Sequence, residues 1–367
     1  MSDVPRQRAQ RLLREADIDA LVLAKPESFA WATGAPPGVA SFFRRAGSAL
    51  ALVPAAAGEP IAAVATELFA PHARRALGQA QVLTHSDWVE TADIRPWLDS
   101  SEGAAELMQR AWRADGRPAG FARPAAFDAR RSFEQLGVLL RERGLADARI
   151  GLDLDFWPAS DFALLQEVLP GLRWVDASAV IARIKAVKSA REIALLQQAA
   201  ALAEAGMRRA VASVRTGMHR DAIAQAWKDG VAAEVQRRGV RLSGQWEYTT
   251  VGPLPWQGGG QIAAGDVLKF DVGCLVEGYS SDSGRTYVLG KARPRTRQIM
   301  QALEDAFAAG IEVLKPGHLL SDVHARATRS IHKAGFAGFS RGHYGHSLGH
   351  DTFCEVPPFI AAQAHEA

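Results

Sequence analysis

Cysteine is nearly missing from this 367-residue chain, which has only Cys274 and Cys354. So few exclude a fold built on disulfides and fit a reducing compartment. Long apolar runs are missing too, and none approaches the ~20 residues that a spanning helix needs. The opening stretch, MSDVPRQRAQRLLREADIDALVLAK, is charged for too long to read as a secretory leader. A cytoplasmic location without a membrane partner is the resulting expectation. Charge of one sign is also scarce, with 43 Lys and Arg against 40 Asp and Glu and a net charge of +3. Basic residues are scattered, as at Arg44-Arg45, Arg130-Arg131 and Arg208-Arg209, with no stripe of interleaved aromatics. Nucleic acid is therefore not expected as a partner. There are no repeats and no glycine-rich phosphate loop; GAPPG at Gly34–Gly38 is a turn signal without phosphate-binding spacing.

What is present is an ordinary globular composition, 48% hydrophobic and 23% charged, on a length that suggests about two domains. The first half alternates elements. Helical periodicity over Arg6–Ala16 precedes short apolar strands at Asp19–Lys25, Ser48–Pro54 and Gln81–Ser86. Two helical stretches (AELMQRAWRA and FEQLGVLLRERG) then lead to strands at Ala148–Leu154 and RWVDAS. This pattern predicts an α/β unit with a mixed or parallel sheet over residues 1–180. A boundary follows near Ile184–Lys188. Ser189 and Glu192 form a capping box that opens a long helix. The second half, 185–367, reads as α+β: helices around Asp221–Gly239, Arg297–Leu314 and Leu320–Gly335, with an antiparallel sheet from Tyr248 onward.

The sheet carries the unusual feature. FDVGCLVEGYSSDSGRTYVLG reads as a hairpin with Asp271 in one strand and Asp282 in the other. With the turn centred between Val276 and Glu277, the two face each other directly, their Cβ atoms about 5 Å apart. Burying two like charges without a partner costs several kcal/mol each. Three arrangements relieve that cost. A divalent cation can sit between the carboxylates, the pair can share one proton, or each can pair with Arg285 or Lys269. A one-residue bulge would instead send the two to opposite faces.

Histidines are unevenly placed. Seven of the ten lie from His318 onward, and His343, His346 and His350 crowd into RGHYGHSLGHD beside Gly342, Gly345 and Gly349. Imidazole plus carboxylate suits Mn, Fe, Co or Zn better than Mg or Ca.

Together, GDVLKFDVG…GYSSDSGRT…LG (Gly265–Gly290) and GHSLG (Gly345–Gly349) resemble the M24-type pita-bread metallopeptidases, a group that includes Xaa-Pro aminopeptidase, prolidase and creatinase-like hydrolases. The resemblance extends over nearly the whole chain. It implies a creatinase-type N-terminal α/β domain and an α+β pita-bread catalytic domain. It also implies two divalent ions (Mn, Co or Zn) held by Asp271, Asp282 and His346, with His350 as the competitor for the histidine position. The implied substrate is a peptide with proline at its second position, and a homodimer is compatible with the group. Three departures accompany the likeness. Leu254 stands where the family has a histidine, with Trp256 as a pocket-lining or plain core residue nearby. DTFCEVPP, near Phe353 and Cys354, replaces a second histidine; His343 or His350 could supply the catalytic imidazole instead. The two glutamate ligands find no match, since Glu355 and Glu366 stand too early and in the wrong frames. Hence three expectations: an Xaa-Pro peptidase, a non-catalytic relative or fragment with a broken site, or a C–N hydrolase for a small non-peptide amide.

Overall fold

The computed structural model describes residues 2–252, 260–350 and 356–363. The chain separates into two compact units, Met1–Ile184 and Lys185–Ala367.

In the first unit six strands form one mixed sheet: β1 (Ala20–Leu23), β2 (Leu50–Pro54), β3 (Ala62–Thr66), β4 (Val82–His85), β5 (Arg149–Leu152) and β6 (Arg173–Asp176). Their order is β4-β3-β2-β1-β5-β6. The β1–β2 and β2–β3 pairs are antiparallel, and β3–β4, β1–β5 and β5–β6 are parallel. Successive side chains of a strand point to opposite faces, and here both faces are covered. Leu21, Leu23, Ala51 and Val53 enter one apolar cluster with residues of α1 (Arg6–Glu15), α2 (Pro26–Thr33), α3 (Ala40–Phe43), α4 (Ala70–Leu77) and α8 (Ser178–Ala186). Val22, Leu50, Leu52 and Val64 enter another, with Phe133, Leu136, Leu139 and Leu140 of α6 (Ala129–Glu142) and Leu165 of α7 (Ala159–Val168). Between them in sequence, α5 (Ala104–Ala114) belongs to a connection held by charge. There Arg117 and Arg123 both reach Glu67 Oε2 at 3.0 Å and lie over the Phe121 ring.

At the carboxyl ends of β1 and β5 lies a buried acid. Asp153 accepts hydrogen bonds from the Ala24 and Lys25 backbone N–H groups and from Trp157 Nε1–H, at 2.9–3.1 Å. Complete burial nevertheless pushes its carboxyl up to about 6.

The second unit is built differently. β7 (Leu242–Val251), β8 (Val267–Val276) and β10 (Ser283–Val288) form an antiparallel sheet in the order β10-β8-β7, with β9 (Tyr279–Ser280) paired to β8. The even-numbered residues of β8, Leu268 through Val276, pack under α9 (Ala190–Ser213) and α10 (Arg220–Arg238) against Leu202, Met207, Ile223 and Trp227. Its odd-numbered residues face the other way, and Asp271 is exposed. A second helical pair, α11 (Pro294–Val313) and α12 (Leu320–Lys333), closes on Ala306, Ala327 and Ile331. The final hairpin joins β11 (His343–Ser347) to β12 (Val356–Ala361). Among the described residues no helix is long and apolar enough to cross a membrane.

Candidate metal centre

The hairpin register differs from the expected one, and the turn explains it. Val276 pairs with Tyr279, leaving Glu277 (φ 49°) and Gly278 (φ 83°) as the two turn residues. Two consecutive positive φ values define the type I′ turn that suits the twist of a two-residue hairpin. The centre thus falls between Glu277 and Gly278, one residue later than expected. Asp271 faces Gly284 on one side and Tyr248 on the other, not Asp282. By register count, Asp282 lies two residues along, level with Gly273. A shift of two keeps the face; a shift of one would have reversed it.

The ladder breaks where Asp282 stands. Cys274 N–H donates to Ser281 Oγ at 3.0 Å, while Ser281 N–H still reaches the Cys274 carbonyl at 2.9 Å. Gly273 makes the crossing feasible. A Cβ there would come within 2.3 Å of both the Ser281 carbonyl and Trp246 Nε1. The Trp246 indole therefore lies over Gly273, 6.0 Å ring to ring from Tyr248, and forms an aromatic wall beside the hairpin. The desolvation cost expected for two buried aspartates does not arise in full. Asp271 is exposed, and the Asp282 side chain is 24% accessible. Arg285, one of the cations considered for pairing, reaches Glu204 at 2.8 Å.

Of the three clustered histidines, His346 meets Asp282. Its Nε2 lies 3.0 Å from Asp282 Oδ2, and its Nδ1 is 3.0 Å from the Ser347 carbonyl. When Nδ1–H donates to that carbonyl, the Nε2 lone pair points at a carboxylate oxygen. Two lone pairs at that distance need a proton or a cation between them. A backbone carbonyl fixing the far nitrogen is also how metal-binding imidazoles are commonly oriented. This donor chemistry fits a divalent ion on Asp282 and His346, with Asp271 on the same strand pair. Among the described residues, however, no group of three or more His, Cys, Asp or Glu side chains converges on one point.

The other two histidines have different neighbours. His343 sits one ring away, 5.9 Å from His346 and 5.2 Å from Phe359. His350 lies at the hairpin tip, its ring edge-on to Tyr279 at 5.1 Å, and a Cβ on Gly278 would come within 2.4 Å of it. Cys274 is buried in the helix-facing core, which pushes its thiol up to about 12 and removes it as a thiolate. Leu254, Trp256, Phe353, Cys354, Glu355 and Glu366 lie outside the described residues.

Comparison with known proteins decides the family. The Metallopeptidase family M24 pattern matches residues 194–367, and that of the Creatinase/Prolidase N-terminal domain matches residues 5–187. The chain belongs to metallopeptidase family M24. Among curated M24-like relatives, an Xaa-Pro dipeptidase of Lactobacillus helveticus is 28% identical over 191 residues, half of each chain. The creatinase of Bacillus sp. strain B-0618 is 24% identical over 218 residues, 58% of this chain and 53% of its own. The chain spans about half the length of these two relatives. A solved Xaa-Pro dipeptidase from Bacillus anthracis superimposes with a TM-score of 0.72 at 15% identity, covering 98% of this chain and 84% of that one. The fold is the expected pair: a creatinase-type N-terminal domain and a pita-bread domain with an antiparallel sheet.

Sequence reasoning missed Trp246, Lys188 and Tyr279. For Trp246 the one available signal is Gly273, a glycine inside an apolar strand, which marks close approach of another group.

Proposed function

We propose that this M24 chain is a metal-dependent peptidase that cleaves on the N-terminal side of proline. The observation that carries the reading is the 3.0 Å contact between His346 Nε2 and Asp282 Oδ2, where the chain brings a carboxylate to an imidazole across 64 residues. Asp271, Asp282 and His346 are the residues that would hold divalent metal, as a two-ion site of Mn, Co or Zn. When bound, the metal supplies Lewis-acid chemistry to a peptide carbonyl. The chain's own contribution is orientation. The Ser347 carbonyl holds the His346 ring, and Trp246 with Tyr248 offers an apolar wall suited to a proline ring. His343 is the residue we assign to stabilising a developing oxyanion or protonating the leaving nitrogen, and its ring contact with His346 at 5.9 Å supports that reading. His350 is the alternative for that role, and its place against Tyr279 makes it the weaker one. A peptide is the partner this requires.

Turnover of Xaa-Pro dipeptides and tripeptides with added Mn(II) or Co(II) tests the proposal. Activity should appear in the wild type and vanish in Asp271→Ala; equal rates in the two would end it. The likeness to a creatinase favours one second reading, a C–N hydrolase for a small guanidino or amide compound. A substrate panel in which only such compounds turn over would select it.

A further inference from the structure

The start of α9 does more than cap a helix. Ser189 N–H donates to Glu192 Oε2 at 2.7 Å and Glu192 N–H to Ser189 Oγ at 3.2 Å, the reciprocal box that satisfies two orphan donors. A capping glutamate is ordinarily a surface residue, but Glu192 is only 4% exposed. Its second oxygen accepts the Tyr279 hydroxyl at 3.0 Å, and Tyr279 is wholly buried at the tip of the aspartate hairpin. Two lysines just before the cap point to the other side of the centre. Lys188 Nζ donates to Ser347 Oγ and to the Ala186 carbonyl, and Lys185 Nζ donates to the His350 carbonyl at 3.4 Å.

The two segments reached from α9 also meet each other. Ser280 N–H donates to the Gly349 carbonyl at 3.2 Å, and Tyr279 bridges antiparallel to His350. Running antiparallel, they bring Tyr279 to His350 at one end and Asp282 to His346 at the other. A tie at the first end therefore sets the spacing at the second. We infer that Lys188, with Glu192 and Tyr279, is a positioning clamp that fixes the His346-bearing segment against Asp282. Burial of the Lys188 ammonium, which lowers it to about 8, is a cost that a solvent-facing lysine would not carry. The hydroxyl and carbonyl acceptors offset it. The clamp concerns geometry in the metal-free chain; its consequence for metal rests on the reading of His346 as a ligand.

Amide hydrogen exchange on the whole metal-free chain tests the clamp directly. Lys188→Met should speed exchange across Gly345–Gly349 at least tenfold while the amides of α10 stay unchanged, and Lys188→Arg, which keeps a donor, should restore most of the protection. Equal exchange in wild type and Lys188→Met overturns the inference. Faster exchange in both regions would mean general unfolding, and Tyr279→Phe, which removes a single oxygen, then decides. It should raise exchange at the Ser280 amide, which donates to the Gly349 carbonyl, several-fold with α10 unchanged, and no rise overturns the clamp. Co(II) calorimetry adds the second arm. Lys188→Met should bind about 10- to 100-fold more weakly, the range for groups that orient a ligand, and wild-type affinity in the variant counts against the clamp. If the wild type itself binds no Co(II), the metal reading fails while the exchange result still judges the clamp.

Discussion

In the N-terminal sheet, neighbouring residues of β1 and β2 enter two different apolar clusters, so both faces are sealed by helices. In β8 only the even-numbered residues do so, and the odd-numbered face carries Asp271, Gly273 and the Trp246 wall. Each region places an aspartate near a strand end, with opposite consequences. Asp153 is surrounded by three N–H donors and excluded from water. Asp282 keeps part of its surface open and spends one oxygen on an imidazole. The first acid fastens two loops; the second meets an imidazole at a partly open surface. A sheet face that stays out of the apolar core is where a fold can expose charge for chemistry without removing it from water.

Exchanging the two kinds of residue should separate activity from stability. Asp282→Asn keeps shape and removes charge, so Xaa-Pro hydrolysis should fall by at least about 10³-fold, roughly 4 kcal/mol of transition-state stabilisation. Its urea midpoint should barely move. Phe133→Ala empties a fully buried site in the N-terminal core, and such truncations cost about 3–5 kcal/mol. Its midpoint should drop while activity per folded molecule persists. Were Asp282→Asn to lose stability as severely, the open face would be a structural one.

How far the sequence carries such distinctions depends on what each signal encodes. The Ser189–Glu192 box was legible because both partners lie within one helical turn. The reach of Glu192 to Tyr279 was not, because it crosses 87 residues and leaves no periodic trace. Strand β3, AAVAT, gives little strand signal because alanine carries little strand preference; its burial comes from tertiary packing. The hairpin is legible, but the sequence pattern puts its centre one residue early. Glu277 sits at positive φ, a conformation seldom read from a glutamate. The shared face of Asp271 and Asp282 survives that error by register parity; their direct opposition does not. The pairing of Asp282 with His346 was reachable only through family resemblance, because no local spacing links residues 64 positions apart.

A second contrast is in pH dependence. Burial raises the Asp153 carboxyl to about 6 from an ordinary value near 3.8. The folded state thus holds this proton more tightly than the unfolded chain. The cost is absent below about pH 4, grows as pH rises through about 6, and is constant above. A shift of about two units corresponds to about 3 kcal/mol. Other carboxylates titrate in the same window, so the informative quantity is wild type minus Asp153→Asn, measured by urea unfolding at pH 4.5 and pH 7. Wild type should lose about 2 kcal/mol of that relative to the variant between the two conditions, since pH 4.5 already lies inside the window. Asp153→Asn itself should be less stable at pH 4.5 by about 1–3 kcal/mol, because its amide meets the Lys25 N–H where a carboxylate oxygen accepted. A difference that does not change with pH would mean that burial does not tighten the hold on the Asp153 proton.

The smallest effect is expected on α11, where a helix repeats the one-sided burial of β8. Ala302, Ala306 and Gly310 form its buried side, small enough for α12 to approach; a Cβ on Gly310 would stand 3.4 Å from Val323 Cγ1. On its outer side Leu303, Phe307 and Ile311 are exposed, Phe307 at 73%. An apolar group already in water loses no burial when it is replaced, so Phe307→Ser should change unfolding free energy by no more than about 0.5 kcal/mol. Ala306→Leu, one residue earlier, inserts three carbons between packed helices and should cost about 1–3 kcal/mol. Urea titrations of the two variants side by side check this. Should Phe307→Ser prove the more destabilising, the outer stripe of α11 is covered in solution. Size exclusion at several protein concentrations would then show whether a second copy covers it.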